Sequence, residues 1–326
     1  MRIDVQTHHV RENFVKALES RTDVPRYENV DGTWWAHGGP REKLPMGAAA
    51  LDISLKLEEM DANGIDLSLL SINIPAADLA AKAADADELA RIGNDGIAEV
   101  AAKHTGRFRG VASLGFGDID ATCRELDRCV DDLGFVGLQV FAYVGGNRPL
   151  DDPALEPVWA HLAERGIPLV LHPGALSISA EAYADYWIGP MVGFLYDESM
   201  AAIRLIFSGL LERLPDLKVL LPHGGATLPL LIGRIDGLSG SHPAARKNIS
   251  HAPSHYFERF YTDTVAHSAP ALALAVEQMG AGRVMFASDA PWVPLKKHVD
   301  LVEGLNLPAE EAEKIWSGTA KAFFNL

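Results

Sequence analysis

Cysteine is scarce: Cys123 and Cys129 are the only two. Two thiols six positions apart in a helix-like stretch make no disulfide framework, so a reducing, cytoplasmic setting is expected. Positive charge is in deficit as well. Lys and Arg total 29 against 44 Asp and Glu, a net charge of −15. Such a surface repels phosphate backbones and anionic lipid, so neither nucleic acid nor membrane is an expected partner. An anionic substrate would need locally placed arginine. No stretch approaches the roughly 20 apolar residues of a membrane helix. The opening MRIDVQTHHV has no apolar run of the kind a signal peptide carries. No Gly-rich dinucleotide fingerprint follows the first strand-like segment, which weighs against an open doubly wound sheet. Internal repeats and low-complexity tracts are missing too, and residues 1–326 read as one domain.

What is present is a regular alternation. Eight short, mostly apolar runs occur: Arg2–Gln6, Asp66–Ile72, Phe108–Leu114, Phe135–Phe141, Ile167–Leu171, Leu217–Pro222, Arg259–Asp263 and Arg283–Ala287. Runs that are apolar on both faces suit parallel strands covered by helices. Helical patterns lie between them. Leu126, Cys129, Val130 and Leu133 fall at i, i+3, i+4 and i+7, with Gly134 as a stop. Eight such units predict a (β/α)8 TIM barrel. Two connections are too long for ordinary barrel loops, His9 to Leu51 after strand one and Pro173 to about Asp197 after strand five. Such long loops serve as lids or binding loops, or as structural and dimer-contact excursions.

Barrel active sites lie at the C-terminal ends of the strands. There the sequence places Gln6 and His8, Asn73, Gln139, His172, His223, Asp263 and Asp289. Imidazoles and carboxylates from separate strands can surround a Zn2+-like ion and leave a position open for water or substrate. Period-two alternation puts Gln6 and His8 on one side of the chain. His8, His172 and Asp289 are the candidate ligands. His223 is open between ligand and acid/base, since a histidine beside a metal is placed to move protons at neutral pH. A buried polar network at the barrel mouth is the bland alternative. His267 can line the pocket. His298 reads as solvated, and Pro253 between His251 and His255 argues against their sharing a helix face.

At these residues the chain resembles the amidohydrolase superfamily (amidohydrolase-2), in its aminocarboxymuconate-semialdehyde decarboxylase-like branch. The carriers are RIDVQTH at 2–8, EEMDANGID at 58–66, LVLHPG at 169–174, SGLLERLPDLKVLLPHGGA at 208–226, LIGRID at 231–236 and RVMFASDAPW at 283–292. The resemblance implies a barrel, often dimeric, with one divalent metal, Zn2+ first and Mn2+ next. It implies His8, His172 and Asp289 as ligands and His223 in proton transfer. Arg234 matches an arginine that can reach a neighbouring subunit's substrate, and Arg41 lies near another carboxylate-binding arginine. Trp187, in the second long loop, is a candidate to cover a substrate ring. Gln6 departs from the pattern, which has His or Glu there. Gln offers only a neutral carbonyl oxygen. It then serves as a weak fourth ligand or hydrogen bonder, shifts the preference toward a harder ion such as Mn2+, or marks a lost metal.

The expected activity is non-oxidative decarboxylation of a small aromatic or unsaturated carboxylic acid, with His223 and Asp289 catalytic and a homodimer as the working form. The rival is a metal-dependent hydrolase or hydratase acting on a ring-opened, lactone or amide substrate. A non-enzymatic binding module rests on Gln6 alone.

Overall fold

The structure is a computed structural model, and it describes all residues except 39–42, 73–74, 80–82, 146–147 and 175–185. Arg41 and Asn73 therefore lie outside the described residues.

All eight expected strands are present: β1 (Ile3–His8), β2 (Leu67–Ser71), β3 (Phe108–Gly110), β4 (Leu138–Phe141), β5 (Leu169–His172), β6 (Val219–Leu220), β7 (Phe260–Asp263) and β8 (Val284–Met285). They run parallel, β1 to β3 in one sheet and β4 to β8 in another. Backbone hydrogen bonds join the two sheets at both edges. Val136 N donates to Gly110 O and Gln139 N to Ala112 O; at the other edge Val5 N donates to Phe286 O and His8 N to Ala290 O. The ring is thus an eight-stranded barrel, as expected.

Each strand is followed by a helix: α1 (Ile53–Asn63), α2 (Ala83–Lys103), α3 (Ile119–Asp127), α4 (Glu156–Arg165), α5 (Phe194–Phe207), α6 (Leu228–Gly240), α7 (Ala269–Met279) and α8 (Leu295–Gly304). Local chemistry sets their ends. The Asp118 side chain accepts from Ala121 N at the start of α3, and Gly64 and Gly166, both left-handed, stop α1 and α4. The barrel interior is filled by Ile3, Val5, Leu67, Leu69, Val111, Val170, Leu220 and Met285. The C-terminal helix Thr319–Phe324 packs Phe323 and Phe324 against that cluster. Lys218, just ahead of β6, donates to Phe323 O, so this helix closes the end of the barrel opposite the site.

Two expectations need correction. The stretch from His9 to Leu51 is not an open loop. It folds into a helix at Glu12–Glu19 and an antiparallel sheet of Arg26–Val30, Thr33–His37 and Lys43–Met46. The second long connection ends earlier than Asp197, because Gly189–Gly193 is already π-helical and α5 starts at Phe194. His251 and His255 share no helix face, as expected, since His251 precedes the helix that holds His255, although their rings lie 4.3 Å apart. Pro253 is the first residue of the helix Pro253–Phe257, where its missing N–H costs nothing. Among the described residues, no helix is long and apolar enough to cross a membrane.

Close packing supplies a test of the barrel–helix contact. A Cβ on Gly115, in the β3–α3 connection, would lie 2.6 Å from the backbone of Ala86 and Asp87 in α2. Backbone cannot swing aside as a side chain can. Gly115→Ala is expected to lose about 1–3 kcal/mol in urea denaturation. An unchanged midpoint would show that α2 yields at that contact.

Candidate active site

Three ligand-type side chains converge from strands distant in sequence. His8 ends β1, His172 ends β5, and Asp289 follows β8. His8 Nε2 lies 3.1 Å from His172 Nε2 and 3.1 Å from Asp289 Oδ1. Their ligand atoms all fall within 4.8 Å of one another, the arrangement a metal ion requires. A register shift in β1 between Asp4 and Thr7 sets this up. Ile3 and Val5 face the inner core, and past the shift Gln6 and His8 turn toward the site.

The ring orientations follow from the outer hydrogen bonds. His172 Nδ1 lies 2.7 Å from Pro173 O. A carbonyl only accepts, so Nδ1 carries the proton and Nε2 presents a lone pair toward His8 Nε2. His8 Nδ1 pairs with the Ser71 hydroxyl at 2.9 Å. Burial pushes His172 well below the usual imidazole range. Burial disfavours the Asp289 anion, yet the nearby His223 imidazole and the hydrogen bond from His8 outweigh it and hold the carboxyl well below its usual range. The site therefore pairs the neutral His172 with one firm carboxylate. Gln6 donates from Nε2 toward Asp289 Oδ1 at 3.5 Å, while its Oε1 is buried with no partner. An orphaned carbonyl oxygen beside two imidazole Nε2 atoms and a carboxylate is what a bound cation would satisfy.

His223 stands beside this group. Its Nδ1 lies 2.8 Å and 2.9 Å from the two oxygens of Glu198, so it donates to that carboxylate. Nε2 then faces Asp289 Oδ2 at 3.9 Å. Burial alone would lower the His223 pKa, but Glu198 and Asp289 raise it well above the usual imidazole range. His223, Gly224, Gly225 and Ala226 all have positive φ, as do Asp289 and His267. Left-handed backbone at non-glycine residues costs energy and clusters where geometry is imposed for function. Asp263 holds the turn, since its Oδ1 accepts from Gly224 N and Val265 N. Burial raises this carboxyl to about 6. Asp263 thus supports His223 rather than joining the ligand set.

Sequence reasoning did not single out Glu198. It is fully buried, and burial raises its pKa even against the His223 partner. The only sequence signal was an acidic pair, Asp197-Glu198, in the first turn or two of an otherwise apolar helix. His298, expected to be solvated, is fully buried, and its ring meets that of His267 at 5.4 Å. Gln139 turns away and donates to Ile72 O.

A cavity of about 680 Å³ opens above these residues. His172, His223 and Asp289 line one part; Trp187, Met191, Phe194, Leu195, Leu274 and Trp292 form apolar walls. His267 lines it too, as expected. No Lys or Arg occurs among its described lining residues. Arg234 is exposed on α6, outside this cavity.

The comparisons with known proteins agree with this geometry. The family model described as Amidohydrolase matches residues 3–326. The gamma-resorcylate decarboxylase of Rhodococcus jostii (strain RHA1) is 31% identical over 334 residues, covering 95% of this chain and 98% of the relative. A crystal structure of 5-carboxyvanillate decarboxylase from Sphingomonas paucimobilis superposes with a TM-score of 0.87 at 27% identity, covering 100% of this chain and 99% of that one. A dihydroxybenzoic acid decarboxylase from Polaromonas sp. JS666, with bound manganese and the inhibitor 2-nitroresorcinol, gives a TM-score of 0.84 at 30% identity, covering 100% and 97%.

Burial next to the site supplies a pH test. Asp197 has an oxygen without a partner. Burial, with Glu198 beside it, raises its pKa from 3.8 to about 7. Between those values the folded chain binds a proton the unfolded chain has lost, so stability falls as pH rises through the window. Asp197→Asn stays neutral. It is expected to raise Tm at pH 8, with the gain shrinking toward zero as the pH falls to about 4. Scanning calorimetry across that range checks it, and no gain at pH 8 would mean the carboxylate is stabilised when ionised.

Proposed function

The chain belongs to the amidohydrolase family, and from that premise we propose that it is a metal-dependent non-oxidative decarboxylase of a small aromatic carboxylic acid. The single observation that carries the reading is the ligand cluster at the foot of an apolar, ring-sized cavity with the His223–Glu198 pair beside it.

His8, His172 and Asp289 would hold one divalent ion, with the Gln6 carbonyl oxygen as a weak fourth donor. When bound, the ion supplies positive charge that fixes the substrate carboxylate and stabilises charge as it redistributes. Zn2+ suits the imidazoles. The oxygen donors of Gln6 and Asp289, and the manganese of the Polaromonas relative, favour Mn2+. His223 is the proton donor. Glu198 fixes its orientation through Nδ1 and keeps the ring charged, so Nε2 can deliver a proton to the ring carbon that carries the carboxylate. The carbon–carbon bond then breaks, its electron pair returns to the ring, and CO2 leaves. Asp289 orients the exchange from 3.9 Å. Trp187, Phe194 and Trp292 cover the ring and exclude water.

The working form is a homodimer. Val192, Tyr196 and Met200 follow one another at a spacing of four along the start of the α5 region and are each 42–50% exposed. Leu230 and Leu238 on α6 are exposed with Arg234 between them on the same face. The Ser199–Thr227 hydrogen bond ties the two helices together. A second copy is the occupant that suits this apolar face, and it would bring its Arg234 toward the neighbouring cavity, where a guanidinium can grip a carboxylate. Arg41 is retained as a second carboxylate-binding candidate. Both cysteines are free, which supports a cytoplasmic setting.

Two outcomes test this. With a panel of hydroxylated benzoic acids, the protein reconstituted with Mn2+ or Zn2+ is expected to release one CO2 per acid consumed. Elemental analysis should find close to one ion per chain, and His223→Asn should lower kcat by about 100-fold or more. A product that keeps every carbon and gains water would replace this reading with the hydratase or hydrolase one. For the assembly, analytical ultracentrifugation should give a dimer that Tyr196→Glu with Leu238→Glu dissociates, while Arg234→Ala raises KM. A fully active monomer at micromolar concentration would contradict the shared-site arrangement.

A further inference from the structure

We propose that Lys56 is a positioning residue for the metal ligands, a buried cation that clamps the first and last strands immediately beside His8 and Asp289; the role rests on the ligand assignment above. Lys56 lies on α1, facing the barrel, and is 2% exposed. Its Nζ donates to Thr7 Oγ1 at 2.6 Å and to Ala290 O at 3.3 Å. Thr7 Oγ1 in turn donates to Ala290 O at 3.0 Å. The three atoms close a small triangle across the β1–β8 seam. Thr7 immediately precedes His8, and Ala290 immediately follows Asp289.

An ammonium in this place is costly. Its hydrogen-bond partners are a hydroxyl and a carbonyl, both neutral. The carboxylates that act on it, Asp4, Glu59 and Asp289, do so at longer range. Glu59 is already engaged by Leu295 N at 2.7 Å. Asp4, fully buried, spends its oxygens on Ser288 N, Ser288 Oγ and Gln6 N. An apolar side chain would fill the same volume without the desolvation penalty. What the ammonium adds is direction: it fixes a hydroxyl and a carbonyl on two strands at once.

The result is a buried carboxyl and a buried amine side by side behind the site. Asp4 pins the backbone at Gln6 and Ser288. Lys56 pins Thr7 and Ala290. Every residue that offers an oxygen or nitrogen from this seam, Gln6, His8 and Asp289, is therefore either held directly or flanked by a held neighbour. Outer contacts of this sort set how well a ligand set is preorganised, and their loss typically weakens metal binding about 10–100-fold. Lys56 touches neither substrate nor ion; it acts through its neighbours.

The experiment measures Mn2+ affinity directly, by electron paramagnetic resonance of free Mn2+ and by isothermal titration, on purified metal-free protein whose folding is checked by circular dichroism. Lys56→Met is expected to raise the Mn2+ Kd about 10–100-fold. Thr7→Val, which removes the hydroxyl and keeps the shape, should weaken binding in the same direction, and Thr7→Ser should restore it. The double variant should lose no more than Lys56→Met alone, because both act through one clamp; independent structural damage would add. Folded Lys56→Met that binds Mn2+ with wild-type affinity overturns the proposal while leaving the ligand set standing. Wild-type protein that takes up neither Mn2+ nor Zn2+ overturns the ligand set and the clamp with it. If Lys56→Met does not fold, the Thr7 pair decides: equal affinity for Thr7→Val and Thr7→Ser would sink the clamp.

Discussion

The seam between β1 and the end of β8 is the constraint on which the rest of the structure depends. Gln6 and Asp289 are 283 residues apart in the chain, yet they lie within hydrogen-bond reach. That distance is closed by backbone hydrogen bonds that continue past the last regular pairing: Val5 to Phe286, Asp289 to Gln6, and His8 to Ala290. Only a closed ring can do this. In an open sheet the first and last strands would be opposite edges, and no ligand set could draw on both. The loop-closure entropy of such long-range pairing is recovered by the apolar cluster inside the barrel and by the C-terminal helix that seals its far end.

The barrel sorts its side chains by end. Toward the C-terminal helix the interior is aliphatic and aromatic. Toward the cavity it is almost entirely ionisable or amide: Gln6, His8, His172, His223, Asp263 and Asp289, with Glu198 reaching in from α5. Buried charge of this density is unfavourable for folding. It is tolerated because each member has a defined partner through at least one of its polar atoms, with Gln6 Oε1 and Asp263 Oδ2 left unpartnered. The left-handed backbone at His223 and Asp289 belongs to the same economy, since strain there is sustained by the surrounding ring.

Much of this was legible in the sequence, for identifiable reasons. Parallel strands buried on both faces are short unbroken apolar runs, and all eight stand out. A histidine or aspartate directly after such a run is equally visible, so His8, His172, His223 and Asp289 could be named as a group. Glu198 and Lys56 could not. On a helix, a charged residue reads as a solvated face unless one knows which face is turned inward. That depends on packing angle and register, which periodicity alone does not set in helices as short or as apolar as α1 and α5. The antiparallel sheet after β1 escaped for another reason. Its strands carry Pro45, two tryptophans and several charges, and among the described residues they pair only with one another, so they lack the apolar signature of core strands.

Gln6 is the residue at which sequence, structure and chemistry meet. It occupies the inward position two residues before His8, its carbonyl oxygen is buried without a partner, and it carries no charge. A divalent ion held by His8, His172, Asp289 and Gln6 would meet a single formal negative charge. The remaining positive charge would sit in a cavity whose described walls offer no Lys or Arg, with the charged His223 as a second cation beside it. Coulomb attraction in such a poorly solvated place is strong. On the proposed reading an acid would be drawn to the one end of an otherwise apolar cavity where its carboxylate can complete the charge balance, and the ring it carries would be left among Trp187, Phe194 and Trp292. Loss of CO2 would remove that carboxylate and with it the main reason for the product to stay.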